Sequence, residues 1–253
     1  MILKNKIVLL VICNCLMLSP LSYSQNWSYE LEPYVLFSNI EGDAGVGRVS
    51  GAPVDVDFGD ILEVLDLGAM GHFEAHHESG WGLSLDYGFM DLAADISTAR
   101  GGVVDASVRQ GVLEALGMYR SNVSGGQLDA FFGLRWWDND IDIRVDPAIL
   151  PGTLKSDIEE DWVDLVVGIR WLQPINNSWN FVLRGDIGGL GVESEFTSSL
   201  AAGFQYQMSA NWVLDLQYKS TWVDFEDGSK ASPDYFAYDT VTHGPLLGFI
   251  YKF

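Results

Sequence analysis

The chain has 253 residues, of which 48% are hydrophobic, 13% aromatic and only 19% charged. Acids outnumber bases 35 to 14, a net charge of −21, which excludes nucleic acid as a partner because such a surface needs clustered Lys and Arg to neutralise phosphates. Beyond residue 24 no stretch reaches the ~18 apolar residues of a spanning helix; the apolar residues are spread by alternation instead.

The N-terminus reads as a secretory signal over residues 1–24. Lys4 and Lys6 give the charged start, Ile7 to Leu18 the apolar centre, and Ser22-Tyr23-Ser24 the small-x-small cleavage site. The remaining domain, residues 25–253, then has no thiol, because Cys13 and Cys15 both fall in the signal. Neither cysteine follows the small residue of a lipoprotein site; Ile12 and Asn14 stand there.

Ten strands follow, recognised by period-two alternation. The first, Trp27 to Ile40, puts Trp27, Tyr29, Leu31, Pro33, Val35 and Phe37 on one face and Glu30, Glu32, Tyr34 and Ser38 on the other. Pro33 is poorly tolerated inside a sheet, so a bulge or weak pairing is expected there. Glu41 to Asp66 reads as a long, Gly-rich loop, with Asp60 capping a short helix through Leu65. The next strands are Gly68 to His76, Trp81 to Ala93, about Asp105 to Tyr119, Gln127 to about Ile143, Asp161 to Leu172, Trp179 to Gly188, Phe196 to Tyr206 and Asn211 to Val223. The pattern D-x-x-x-G-x-R-W occurs twice, at Asp129–Trp136 and Asp164–Trp171. The closing strand, Asp239 to Phe253, ends with Phe249, Tyr251 and Phe253 on one face. A greasy strand at the chain end is tolerable when it pairs with the first strand and leaves no edge.

Connections alternate in length. Those at Glu78–Gly80, Ser121–Gly126, Pro174–Ser178 and Ser209-Ala210 are short; those around Glu41–Asp66, Val145–Asp157 and Glu226–Tyr238 are long. An even strand count with short turns on one side places both termini in the periplasm. Trp27, Trp81, Trp136, Trp171, Trp179, Trp212, Trp222 and Tyr251 sit near strand ends on the greasy parity, as interfacial girdles do. The opposite parity carries Glu30, Glu32, Glu74, Asp86, Glu114, Asp129, Asp164, Asp186 and Asp215. Against them stand Arg120, Arg135, Arg170, Arg184, Lys219 and Lys252, with His72 and His76. Charges in a narrow interior must be paired. The expectation is an ion-paired lumen in which loss of Arg135 or Arg170 would leave Asp129 or Asp164 unpaired.

The fold class expected is therefore all-β, a closed antiparallel transmembrane barrel of about ten strands. The terminal Phe253 with alternate aromatics resembles the insertion signal of bacterial outer-membrane barrels, and W-x-Y-x-L-x-P-Y at Trp27–Tyr34 is similar to the start of uncharacterised Gram-negative outer-membrane proteins. The general look is also similar to OmpW-like and OmpA-like barrels, which have eight strands. That resemblance implies residence in the outer membrane. Its partners would be outer-membrane lipid and lipopolysaccharide, and the barrel-insertion machinery during assembly.

The functional reading is a structural barrel or a narrow small-solute pore, with no cofactor and no catalytic residue. The alternatives are an outer-membrane enzyme, omptin-like or lipid A-modifying, or a surface adhesin. His243 is the one His near the outer rim, with Asp224, Asp239, Ser220 or Thr242 as neighbours; no spacing singles out a catalytic set. Acids also crowd the outer loops: Asp43, Asp55, Asp57 and Asp60; Asp138, Asp140, Asp142, Asp146, Asp157, Glu159, Glu160 and Asp161; Asp224, Glu226, Asp227, Asp234 and Asp239. Weak binding of divalent cations there is one reading. Asp138-Asn139-Asp140-Ile141-Asp142 resembles the start of a calcium loop but has Ile143 and Ile149 where that loop needs Gly and Glu, so no dedicated metal site is expected.

Overall fold

The computed structural model describes residues 26–47, 49–97, 103–146, 154–230, 232 and 235–253. The signal segment at 1–24, the Arg100–Gly102 loop and the tip of the connection after Asp146 lie outside them. Twelve strands and one helix follow in chain order: β1 (Trp27–Leu36), β2 (Asn39–Val46), β3 (Val49–Val56), α1 (Phe58–Val64), β4 (Leu65–His77), β5 (Trp81–Ser97), β6 (Val103–Val123), β7 (Gly126–Asp146), β8 (Leu154–Pro174), β9 (Trp179–Gly188), β10 (Phe196–Gln207), β11 (Trp212–Asp227) and β12 (Phe236–Lys252).

Ten of these, β1 and β4 through β12, close an antiparallel barrel in which each strand pairs with its chain neighbour and β1 pairs with β12. The closing seam reaches the last residue: the amides of Tyr29 and Phe253 each donate to the other's carbonyl at 3.0 Å. Phe253 stacks on Tyr29 and on Tyr251, with centroids 5.6 and 5.7 Å apart.

The stagger of the barrel can be counted. A row of paired residues runs Ser28, His76, Gly82, Met118, Phe131, Gly168, Asp186, Ser199, Thr221, Thr242 and returns to the first strand at Ile40. The return is 40 − 28 = 12 residues higher. Ten strands spaced ~4.8 Å apart with that stagger tilt by about 40° and enclose a backbone radius of about 10 Å. Side chains from opposite walls meet across such a lumen.

Alternation sorts the two faces. Leu31, Val35, Leu83, Leu85, Phe132, Leu134, Leu165, Val167, Ile169, Leu200, Leu216 and Phe249 are exposed on the outer wall, while the intervening residues are mostly buried. The outward band is apolar on all sides, as lipid requires. Among the described residues no helix is long and apolar enough to cross a membrane. Gly168 shows how the interior is kept narrow: it stands opposite Phe131, and a Cβ there would strike the Phe131 ring.

Three expectations need correction. The Glu41–Asp66 segment is not an irregular loop but a hairpin, β2–β3, that pairs through β2 with the outer half of β12, followed by α1. Gly42 permits this close approach, with φ +143° and the Asp239 carbonyl where a Cβ would be. The helix starts after Asp57 rather than Asp60, and no side chain caps it; Asp60 lies in its first turn. Third, β6, β7 and β8 are each 21 residues long, well beyond a bilayer span. The Asp138–Asp142 stretch is therefore regular strand paired with Asp161–Asp157, not a cation loop.

Deleting Phe253 removes two main-chain hydrogen bonds and two ring contacts from the closing seam. The expected outcome is loss of the heat-modifiable, detergent-resistant band on gels with unchanged synthesis of the chain; normal assembly would show that the seam closes without it.

Candidate functional site

The lumen is organised by two rows of ionisable residues. The first climbs β1, β4, β5, β6, β7 and β8 through Glu32, His72, Asp86, Glu114, Arg135 and Asp164, each directly opposite the next. The second climbs β6 to β11 through Arg120, Asp129, Arg170, Arg184, Ala201 and Lys219. One row is mainly acidic and the other mainly basic. The twelve-residue stagger carries the end of the second row to the height of the first, so the two face each other across the barrel.

Two clusters result. At one, Arg135 is almost fully buried and donates through Nη2 to Asp186 Oδ1 at 2.8 Å, through Nε to Glu114 Oε1 at 2.8 Å and through Nη1 to Thr197 Oγ1 at 2.9 Å. Arg184 reaches the other oxygen of Glu114 at 2.6 Å and lies over the Phe131 ring. At the second, Arg170 pairs with both oxygens of Glu74 and with Asp129 at 2.7 Å, and Arg120 grips Asp129 in a fork at 2.7 and 2.9 Å. His72 links the clusters, its Nε2 2.8 Å from Glu74 and its Nδ1 3.0 Å from Asp86. Both ring nitrogens face carboxylates, which two N–H donors satisfy. His76 is 2.7 Å from Glu74, and Tyr34 donates to Asp86 at 2.9 Å. Toward the N-terminal end of β1, Lys252 is 3.4 Å from Glu30.

Four residues assigned to the ion-pair network have no salt bridge among the described residues: Asp164, Glu32, Asp215 and Lys219. Asp164, opposite Arg135 in register, does not pair with it, because the guanidinium is held by Glu114 on β6 and Asp186 on β9. Neutral donors hold Asp164 instead. The indoles of Trp137 and Trp162 each donate at 3.2 Å, Ser194 Oγ at 2.8 Å and the Ser194 amide at 3.1 Å. Glu32 and Asp215 lie together, with Gln205 and Gln217 donating to Asp215 at 3.4 and 2.6 Å.

Above Asp164 the lumen turns aromatic. Trp137, Trp162, Val223, Phe225 and Phe236 form a buried cluster in which Trp162 and Phe225 stack at 3.9 Å and Trp137 and Trp162 at 5.6 Å. A second apolar cluster, Leu116, Met118, Phe131 and Val166, fills the wall between the charged groups. The inward parity of seven of the nine was readable, while Phe225 and Phe236 fell beyond the strands read from the sequence; hydrophobic residues inside a membrane barrel carry no signal by type. The Gly189–Glu195 loop, which lends Ser194, had no such signal.

At the outer rim His243 contacts Tyr218 Oη at 2.7 Å and Glu41 at 3.3 Å. Asp224 and Asp239 stand opposite each other one turn of pairing away, and Ser220 lies opposite His243 in register with no hydrogen bond to it. Among the described residues no nucleophile–base pair forms there. Among the described residues no group of three or more His, Cys, Asp or Glu is arranged to hold a metal.

Breaking either cluster strands a buried carboxylate. Arg135→Ala and Arg170→Ala are each expected to cost about 3–5 kcal/mol, read from the urea midpoint of vesicle-inserted protein. Asp164→Asn should also destabilise, because its N–H₂ would face the Ser194 amide in the place of Oδ1, or both indoles and the Ser194 hydroxyl in the place of Oδ2; an unchanged midpoint would mean that these donors do not hold the group.

No protein-family model matches the chain, and no curated protein matches it in sequence. Among solved structures it is similar to the translocator domain of the autotransporter NalP from Neisseria meningitidis, with 10% identity and a TM-score of 0.52 over 99% of this chain and 95% of that one. Ail, the attachment invasion locus protein of Yersinia pestis, aligns at 12% identity and TM-score 0.40 over 90% and 99% of the two chains. The outer membrane protein OprG from Pseudomonas aeruginosa aligns at 12% identity and TM-score 0.32 over 90% and 96%. Identities this low speak to fold, and of these three only NalP does so at a TM-score above one half. With its closed ten-stranded wall, lipid-suited outer face and likeness to NalP, the chain is an outer-membrane-type β-barrel.

Proposed function

We propose that this barrel resides in the outer membrane as a structural protein with a sealed lumen, both termini in the periplasm. The observation that carries this reading is the stacking of two barriers across one radius of about 10 Å. The Arg135–Glu114–Asp186–Arg184 cluster projects into the lumen from β6, β7 and β9, and the Trp137–Trp162–Phe225–Phe236 layer lies above it. An ion crossing would have to break a buried ion pair and then pass a dry aromatic layer, each costing several kcal/mol. Catalysis finds no support at the rim, where His243 has Tyr218 and Glu41 as partners rather than a nucleophile. Purified protein in planar bilayers is expected to give no steady conductance; large, persistent wild-type channels would overturn the sealed reading.

A second reading concerns the extended outer strands, where acids face acids: Asp138 opposite Asp161, Asp140 opposite Glu159, and Asp224 opposite Asp239. Partial burial, then the fields of Asp239, Glu195 and Glu226, push the Asp224 carboxyl up. Like charges in register destabilise a sheet unless something offsets them, and lipopolysaccharide phosphates beside them add to the repulsion. Weak, shared divalent cations would relieve it. The melting temperature is then expected to rise by a few degrees in millimolar Ca²⁺ relative to EDTA, and less so after Asp138, Asp140 and Asp142 are changed to Asn. Equal melting in the two conditions would leave the acids as a solvated coat.

A further inference from the structure

The barrel wall has an interruption. Residues Trp27–Val46 keep a single register along β12. Their other edge pairs with β4 only as far as Pro33 opposite Gly71, and β3 takes over at Ile40 opposite Val56. Residues 34–39 therefore have no strand beside them on that edge, and across the gap Leu65–Met70 pair with β5 alone. α1 crosses above: the Phe58 amide donates to Asn39 Oδ1 at 2.9 Å and its ring meets Phe37 edge-on at 4.9 Å. The result is a window floored by the Pro33–Gly71 pair and roofed by α1. Val35, Leu65 and Leu67 are exposed around it, and the outward acids Glu41 and Asp91 come only higher on their strands. The window thus opens on the upper part of the lipid-facing apolar band and is continuous with it.

Behind the window lies a cavity of about 90 Å³. Leu36, Met70, Met90, Val112 and Trp137 give it an apolar lining, and its polar lining is Lys219, Thr221 and Thr242 with Gln110 and Asp86, the last already bonded to His72 and Tyr34. Lys219 ends the basic row, and among the described residues no carboxylate lies within ion-pair distance of it. The acids whose fields it shares are already engaged: Asp86 by His72 and Tyr34, and Glu114 by Arg135 and Arg184.

We propose that the window and cavity hold a single-chain carboxylate amphiphile, its carboxylate on Lys219 and its alkyl chain running out between β1 and β4 into the bilayer. An unpaired ammonium flanked by two threonine hydroxyls is a donor set for an anion. The apolar lining suits a chain, and the small volume excludes a branched or two-chain lipid body. Because entry is lateral, this site does not depend on whether the lumen conducts.

The test uses the whole barrel in lipid nanodiscs and decanoate labelled at its carboxyl carbon, followed by NMR. The expected result is saturable binding beyond that of empty discs. Lys219→Met should weaken it about tenfold, and Lys219→Arg should retain it. Leu36→Trp, which fills the cavity and leaves the ammonium in place, should also abolish it, so the proposal stays testable if Lys219→Met does not fold. Heat-modifiable migration checks the fold of each variant. Three results would overturn the proposal: uptake no greater than that of empty discs, unchanged affinity in Lys219→Met, or displacement by decanol as effective as by unlabelled decanoate, which would assign the cavity to neutral chains.

Discussion

Closure of the sheet is the constraint on which everything else depends. A bilayer offers no water to an open strand edge, so each main-chain group in the span must find a partner within the protein. The chain meets this by returning its last strand to its first, down to the reciprocal Tyr29–Phe253 hydrogen bonds. Closure with a twelve-residue stagger then fixes the radius, and the radius fixes what the interior can contain. In a lumen this narrow a guanidinium on β7 reaches carboxylates on β6 and β9 together, as Arg135 does. A wider barrel would leave the same side chains in water.

The stagger also converts sequence into electrostatics. Residues adjacent along a hydrogen-bonded row come from six different strands, yet they form one climbing line of Glu32, His72, Asp86, Glu114, Arg135 and Asp164. The basic line of Arg120, Arg170, Arg184 and Lys219 starts lower and rises to meet it. Pairing is thus set by height around the cylinder more than by cross-strand opposition. Asp129 and Arg170 are opposite and paired; Arg135 and Asp164 are opposite and not paired, because Glu114 on β6 and Asp186 on β9 already hold Arg135.

This explains which parts were legible in the sequence. Parity along each strand gave the inward and outward sets, because the side-chain period of a strand is two whatever the barrel's size. The ten-strand wall followed from the same alternation. Partners across the lumen were not legible, since they depend on the stagger, which no local pattern encodes. The doubled motif invited pairing within each copy, Asp129 with Arg135 and Asp164 with Arg170; instead Arg170 takes Asp129 and Glu74, and the placement of Trp137, Trp162 and Ser194 shows why Asp164 needs no cation. The β2–β3 hairpin was read as loop because Gly42, Gly45, Gly47 and Pro53 weigh against strand by type; at Gly42 the glycine is what lets the strand lie against β12.

Pro33 ties the wall to the interior. As an alternation signal it belongs to the lipid-facing set with Leu31 and Val35, and its missing N–H falls on the β12 side, where the pairing skips Glu32 and Pro33 before the same register resumes at Tyr34. On the β4 side the same residue is the last paired position. A sheet that loses a ladder at one point must either bend away or recruit another strand, and here it does both. The chain doubles back as β3 to cover the upper edge, and α1 bridges to β4. The hairpin and helix therefore need no separate rationale as surface decoration: they cap a wall whose β1–β4 pairing stops at Pro33 and does not close along its full height.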